Sequence, residues 1–276
     1  MTGSEPISVP DLLGRDHVIP VGKDYIPGVE RKLRATIMGI FRDPSGAQTK
    51  EISNHELLSE AVFWSLGELI NNANKANNRW ALLRNALMQR IVAENKLGSD
   101  QATQDKVQSE VDYAIEHNQT DLLQKYSLMN IDLTASILKL IEMHKTNSFA
   151  LSERFNKRID VTLRMKTRAE RNVVLINVLN NSPITVIDKQ RVEYNLDKIK
   201  EDLMHSGKNS REASVRLYDK TEDHAGGGFG AGLRSIVLFL KEGYAPFPLE
   251  IKYSTLIQYR SAASSTIFTI ELPIPS

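Results

Sequence analysis

The hydrophobic pattern of this chain changes period near residue 156, and that change limits the fold more than any other feature. Before it, apolar residues recur at helical spacing. In "PGVERKLRATIMGIFRD", Val29, Leu33, Ile37, Ile40 and Phe41 share one side of a helix that Pro27 can open. In "ELLSEAVFWSLGELINNANKA", Leu58, Val62, Leu66, Leu69 and Ala73 form the buried stripe of a second helix starting near His55. "ALLRNALMQRIVAEN", "QDKVQSEVDYAIEH" and "TDLLQKYSLMNIDLTASILKLIEMH" carry the helical reading from Trp80 to about Phe155, with breaks at "KLGSDQ" and "HNQT". Beyond this point "RIDVTLRM" and "NVVLINVL" alternate as strands, and the polar turn "KTRAER" joins them as a hairpin. A helix, "DKQRVEYNLDKIKEDLMHSG", follows; then come a polar stretch, "HAGGGFGAGLRSIVLFLKEG", and the strands "PLEIKYSTL" and "STIFTIELPIP". Helices interleaved with an antiparallel sheet give an α+β fold. Residues 1–54 read as a lead-in punctuated by Pro and Gly, roughly 1–26, plus a helix; residues 55–276 read as the main unit.

Composition narrows the function. A chain of 276 residues, 41% hydrophobic, has enough apolar material for a real core. Its 35 basic and 34 acidic residues nearly cancel, so no protein-wide field recruits nucleic acid or an acidic membrane, and binding must come from a local site. The absence of cysteine excludes disulfides, thiolate metal sites and a cysteine nucleophile. The start, "MTGSEPISVPDLLGRD", lacks a basic region followed by an apolar run, and windows such as "SIVLFL" are too short to span a bilayer. A cytoplasmic protein with no membrane partner is expected.

Two stretches stand out as a local site. "GELINNANKANNRW" loads one helix with Glu68, Asn71, Asn72, Asn74, Lys75, Asn77 and Asn78, although asparagine is a poor helix former. The asparagines fall largely off the apolar stripe, so that face meets solvent or a ligand. In "GGGFGAGLRSIVLFL", Gly228, Gly230 and Gly232 alternate just ahead of Leu233, Ile236, Val237 and Leu240, which have amphipathic helical spacing. Glycines there let backbone amides approach phosphate, and a helix N-terminus adds a favourable dipole. The pattern is no Rossmann fingerprint, since no strand immediately precedes it and the later acidic residue is missing. It is no P-loop either, because no Lys-Ser or Lys-Thr follows.

Taken in order, "ELINNANKA", "GFGAGL" and "STIFTIELP" resemble the GHKL superfamily of gyrase, heat-shock chaperones of the ninety class, histidine kinases and MutL. The matching positions are Glu68, Asn72, Ala73 and Ala76 of an N box, then Gly228, Gly230, Gly232 and Leu233 of a glycine box. The resemblance covers about residues 55–79 and 156–274. It implies a two-layer Bergerat-type sandwich, a mixed sheet covered on one face by helices, with a helical insertion at about 81–155. It also implies ATP and Mg²⁺ as cofactors. Glu68 and Asn72 lie four apart, on one helix face. An amide oxygen suits Mg²⁺, and a carboxylate one turn away can hold or deprotonate water. Asn72 is therefore the expected magnesium ligand and Glu68 the expected base, with Lys75 within reach of a phosphate. Asn71, Asn74, Asn77 and Asn78 are left as polar surface.

The strand "LINVLNNSPIT" departs from the pattern. Where the family has an aspartate for the adenine amino group, this chain has Asn180, and the glycine positions hold Ser182 and Ile184. Asparagine can still accept a hydrogen bond through its carbonyl. "NHELL" at His55 looks like a phosphoacceptor motif but reads as part of the helix that bears Glu68, so a surface or capping role is expected. The basic turn from Lys157 to Arg171 reads as a solvated hairpin and not an RNA site. The expected function is an ATP-binding protein like the catalytic domain of histidine kinases, a stand-alone ATPase or a kinase on a separate protein, with the insertion docking the partner. The rival is a non-enzymatic interaction module whose nucleotide site is vestigial or only gates conformation.

Overall fold

The computed structural model describes residues 12, 16–21, 29–42, 53–93, 100–117, 156–168, 171–182, 184, 186–205, 229–262 and 265–275. In chain order these form β1 (His17–Val21), α1 (Glu30–Ile40), α2 (Asn54–Ala93), α3 (Gln101–His117), β2 (Ile159–Arg168), β3 (Arg171–Asn180), α4 (Val186–His205), α5 (Phe229–Tyr244), a 3-10 turn (Tyr253–Thr255), β4 (Ile257–Ala262) and β5 (Ser265–Pro273).

Five strands make one sheet in the order β1-β2-β3-β5-β4, and every described pairing is antiparallel. The α+β class holds. The expected mixed sheet does not, because each neighbour joins β2, β3 or β5 with opposite chain direction. Ile159, Val161, Leu163 and Met165 of β2, Val174, Ile176 and Val178 of β3, and Phe268, Ile270 and Leu272 of β5 point to one face and share a core with Leu33, Ile37, Leu58, Leu66 and Leu240 from the helices. Period-two burial on the strands against helical stripes is what a helix layer on one sheet face requires. The stretch expected as an irregular lead-in carries β1, whose Ile19 and Val21 join this core.

α2 starts with a capping box: Ser53 Oγ accepts from the Glu56 amide at 3.2 Å, and Glu56 Oε2 accepts from the Ser53 amide at 2.9 Å. It then runs unbroken for 40 residues, about 60 Å, joining what the sequence suggested as an N-box helix and the first helix of an insertion. Its first half lies in the main core. Its second half buries Leu87 and Ile91, and α3 buries Val107, Val111 and Ala114. Arg84 ties the two helices, donating to Asp112 at 2.6 Å. Residues 94–99 and 118–155 of the expected insertion lie outside the described residues.

α5 packs antiparallel on α2 through two glycines. A β-carbon on Gly232 would stand 2.9 Å from Asn72 Nδ2 and 3.0 Å from Glu68 Oε2; one on Gly243 would stand 2.7 Å from Ala61 Cβ and 3.3 Å from Leu58 Cα. Such separations are below ordinary contact; at Gly243 the obstacle includes backbone and a β-carbon, so glycine is needed there, whereas at Gly232 it is the ends of two flexible side chains. Between them Ile236, Val237 and Leu240 are buried. Tyr244 closes the far end by donating to the Pro273 carbonyl at 2.6 Å.

Candidate functional site

The close approach of α2 and α5 puts Glu68 and Asn72 against the first turn of α5. Gly230 and Gly232 lie inside that helix, which begins at Phe229, and not in a loop ahead of it; Gly228 lies outside the described residues. The arrangement keeps a polar pair against the flank of the first turn of a 16-residue helix, close to its N-terminal end. Asn72 is only 2% exposed, yet neither its Oδ1 nor its Nδ2 has a hydrogen-bond partner. A buried amide left unpaired costs about 1–3 kcal/mol per group, which a native core rarely tolerates without a reason.

The end of β3 makes a second polar group. Asn180, 3% exposed, donates from Nδ2 to the Ala73 carbonyl at 3.3 Å and accepts at Oδ1 from the Ser182 amide at 2.9 Å. Thr266 of β5, directly opposite Asn180 in register, donates to the Ser182 carbonyl at 3.1 Å. Asn180 is thus placed beside the residue that follows Asn72, with its amide bridging strand and helix. The adjacent Asn181 clasps the chain entering β2: its Oδ1 accepts from the Arg158 amide at 2.6 Å, and its Nδ2 donates to the Asn156 carbonyl at 2.8 Å. Asn156 has φ of 53°, the left-handed region that asparagine tolerates.

The remaining expected residues are distributed differently. Lys75 is exposed. Ala76 is partly buried against the core, and the Leu233 side chain is 1% exposed within it, so Leu233 offers a ligand its backbone only. Asn77, expected on the polar surface, is buried at 2% because it continues the stripe of Leu66, Leu69 and Ala73 by one turn. Thr266 and Asn77 are the site residues that sequence reasoning missed. The signals were Thr266's inward phase in the alternation of "STIFTIELP" and Asn77's place on the apolar stripe.

His55 Nδ1 lies 3.0 Å from the Phe41 carbonyl, and its ring meets Phe247 edge-on. It joins the end of α1 to the start of α2, about 20 Å along the helix from Glu68. Among the described residues no three His, Asp or Glu side chains gather as a metal cluster. A cation here would rest on the Asn72 amide oxygen, with Glu68 and ligand oxygens completing the set, a donor combination suited to a hard ion such as Mg²⁺. No helix among the described residues is long and apolar enough to cross a membrane. No family model, curated protein or solved structure matches the chain.

Proposed function

We propose that the α2–α5 junction binds ATP with Mg²⁺ and that the fold is of the Bergerat type implied by the GHKL resemblance. The observation that carries this reading is the buried, unpartnered amide of Asn72 lying directly against Gly232. Asn72 holds the cation through Oδ1, and when bound Mg²⁺ neutralises phosphate charge. The first-turn amides of α5 receive phosphate oxygens. Glu68, one turn before Asn72, orients a water or takes its proton. Gly232 keeps backbone and ligand within reach of both. The reaction class is ATP hydrolysis or phosphoryl transfer to a separate protein.

The partner surface in this reading is the helical insertion, 81–155, where Val92 and Tyr113 are exposed on α2 and α3. A cytoplasmic location and the absence of a nucleic-acid partner belong to the same proposal. A second reading, a regulatory module whose nucleotide site is vestigial or gates conformation, is favoured by Asn180, whose amide is engaged within the protein where the family places its adenine-binding aspartate.

The test is thermal unfolding with ATP, ADP and GTP, with and without Mg²⁺, followed by phosphate release. Saturating Mg-ATP stabilises the protein by about 2–3 kcal/mol at a hundredfold excess over Kd. No shift at millimolar nucleotide rejects the site. A shift without phosphate release or phosphorylation of a partner selects the second reading.

A further inference from the structure

We infer that Lys157 couples the helical insertion to the nucleotide site, its ammonium acting as a catch that closes onto the Trp80 ring and the Asn181 carbonyl. The inference rests on the nucleotide-binding reading above and adds to it how that site is regulated, from a distance, through the α2–α3 pair.

The contacts of two regions meet at this side chain. Lys157 Nζ stands 3.7 Å from the centroid of the Trp80 ring and donates to the Asn181 carbonyl at 3.3 Å. Trp80 is the first buried apolar residue of α2 beyond the main core. One turn further, Arg84 lies over the same ring at 5.9 Å and donates to Asp112 of α3 at 2.6 Å. The ring is therefore tied to the packing of α2 on α3. On the other side, Asn181 holds both chain neighbours of Lys157. Its amide donates to the Arg158 carbonyl at 3.2 Å, and its side chain clasps the Arg158 amide and the Asn156 carbonyl. The residue before it, Asn180, donates to the carbonyl of Ala73, which follows Asn72. A shift of the Trp80 ring thus reaches the Asn180 strut through one side chain and one carbonyl.

The catch has two arrangements. Lys157 is only half-buried, on a flexible four-carbon stem with a strongly hydrated ammonium. Over the ring it exchanges part of its hydration for cation–π attraction; swung outward it regains water. These gains are of similar size, so a small displacement of the ring decides between them. The α2–α3 pair and the end of β3 both bear on this one equilibrium, which is the physical requirement for coupling. A partner protein that steadies α2 against α3 closes the catch and tightens nucleotide binding. By reciprocity, bound Mg-ATP steadies α3.

The experiment is hydrogen exchange read by mass spectrometry on the full chain, with and without saturating Mg-ATP, with calorimetry confirming saturation. In the wild type, peptides covering Gln101–His117 exchange more slowly with Mg-ATP, although the proposed site places no ligand contact on α3. Lys157→Met binds Mg-ATP about two- to fivefold more weakly, the range one partly exposed cation–π contact supplies, and at saturation its α3 protection is lost. Lys157→Arg, which keeps a cation over the ring, restores both. If Lys157→Met does not fold, Lys157→Gln, which can still donate to the Asn181 carbonyl but puts no charge over the ring, supplies the same comparison. Unchanged α3 exchange in the wild type, full α3 protection in the neutral variant, or no restoration by Lys157→Arg overturns the inference while nucleotide binding stands. Failure of the wild type to bind Mg-ATP overturns this inference together with the reading beneath it.

Discussion

Asn72 and Gly232 approach so closely that a β-carbon on the glycine would stand 2.9 Å from the asparagine's amide nitrogen. Gly232→Ala therefore pushes on the flexible end of a side chain, whereas Gly243→Ala pushes on Ala61 Cβ and the Leu58 backbone. Chemical denaturation should show Gly243→Ala losing about 1–3 kcal/mol. Gly232→Ala should lose less, since gained helix propensity offsets part of the cost, but should abolish the Mg-ATP shift. Equal binding by Gly232→Ala and wild type would separate this glycine from the site.

Asn72→Leu replaces an unpaired buried amide with an apolar group of similar size. The expected result is a gain of about 1–3 kcal/mol without ligand, together with loss of nucleotide-dependent stabilisation. A destabilised variant that still responds to nucleotide would make Asn72 a packing residue.

At Asn180 a carboxylate would face the Ala73 carbonyl in place of an N–H donor. Asn180→Asp should cost several kcal/mol at pH 7, because a buried charge without a partner is strongly unfavourable. Protonation relieves the repulsion, so the folded variant holds its proton more tightly than the unfolded chain, and its deficit shrinks as pH falls. Urea midpoints at pH 5 and pH 7 measure this; a deficit independent of pH would contradict it.

Three tyrosines among the described residues resist ionisation. Burial pushes Tyr253 up to about 12, and burial raises Tyr244 as well. Tyr259 is raised by burial and by its hydrogen bond to Glu193 at 2.6 Å. The unfolded chain releases these protons near pH 10. Between there and the raised folded values the native state binds more protons, so the contribution of these tyrosines to stability is constant below about pH 10 and is lost above it. Absorbance at 295 nm should show these tyrosines ionising late, with unfolding.

Gly39 and Gly67 lie inside helices, and a β-carbon on either would meet nothing within 4 Å. Alanine at each should add about 0.5–1 kcal/mol, seen as a raised denaturation midpoint, and leave nucleotide binding unchanged.

Periodicity made α1, the start of α2, the β2–β3 hairpin, α4, α5 and β5 legible, because each buries one face. β1 was hidden by being short and by Pro20, which an edge strand tolerates since it needs no donor on its open side. β4 was misplaced: "PLEIKYSTL" alternates, but the chain there turns through Tyr253–Thr255, and the paired strand is the more polar Ile257–Ala262 that follows. The unbroken α2 was hidden because its asparagines oppose helix by propensity, while packing on both flanks overrides them. Within the site, the pairing of Glu68 and Asn72 with Gly232 followed from motif order. Asn77 did not, since a polar residue on an apolar stripe is interpretable only once its missing partner is seen.

The strand order has a consequence for synthesis on the ribosome. β3 sits at the middle of the sheet, yet the neighbour on its second side is β5, so Asn180 must wait for Thr266 to emerge. Until then the growing chain presents an open strand edge next to a Ser182 carbonyl that still lacks its Thr266 donor. That interval is when pairing with another nascent chain competes best with correct closure, so β5, made after both strands it joins, is the one that shields the open edge of β3 from a wrong partner.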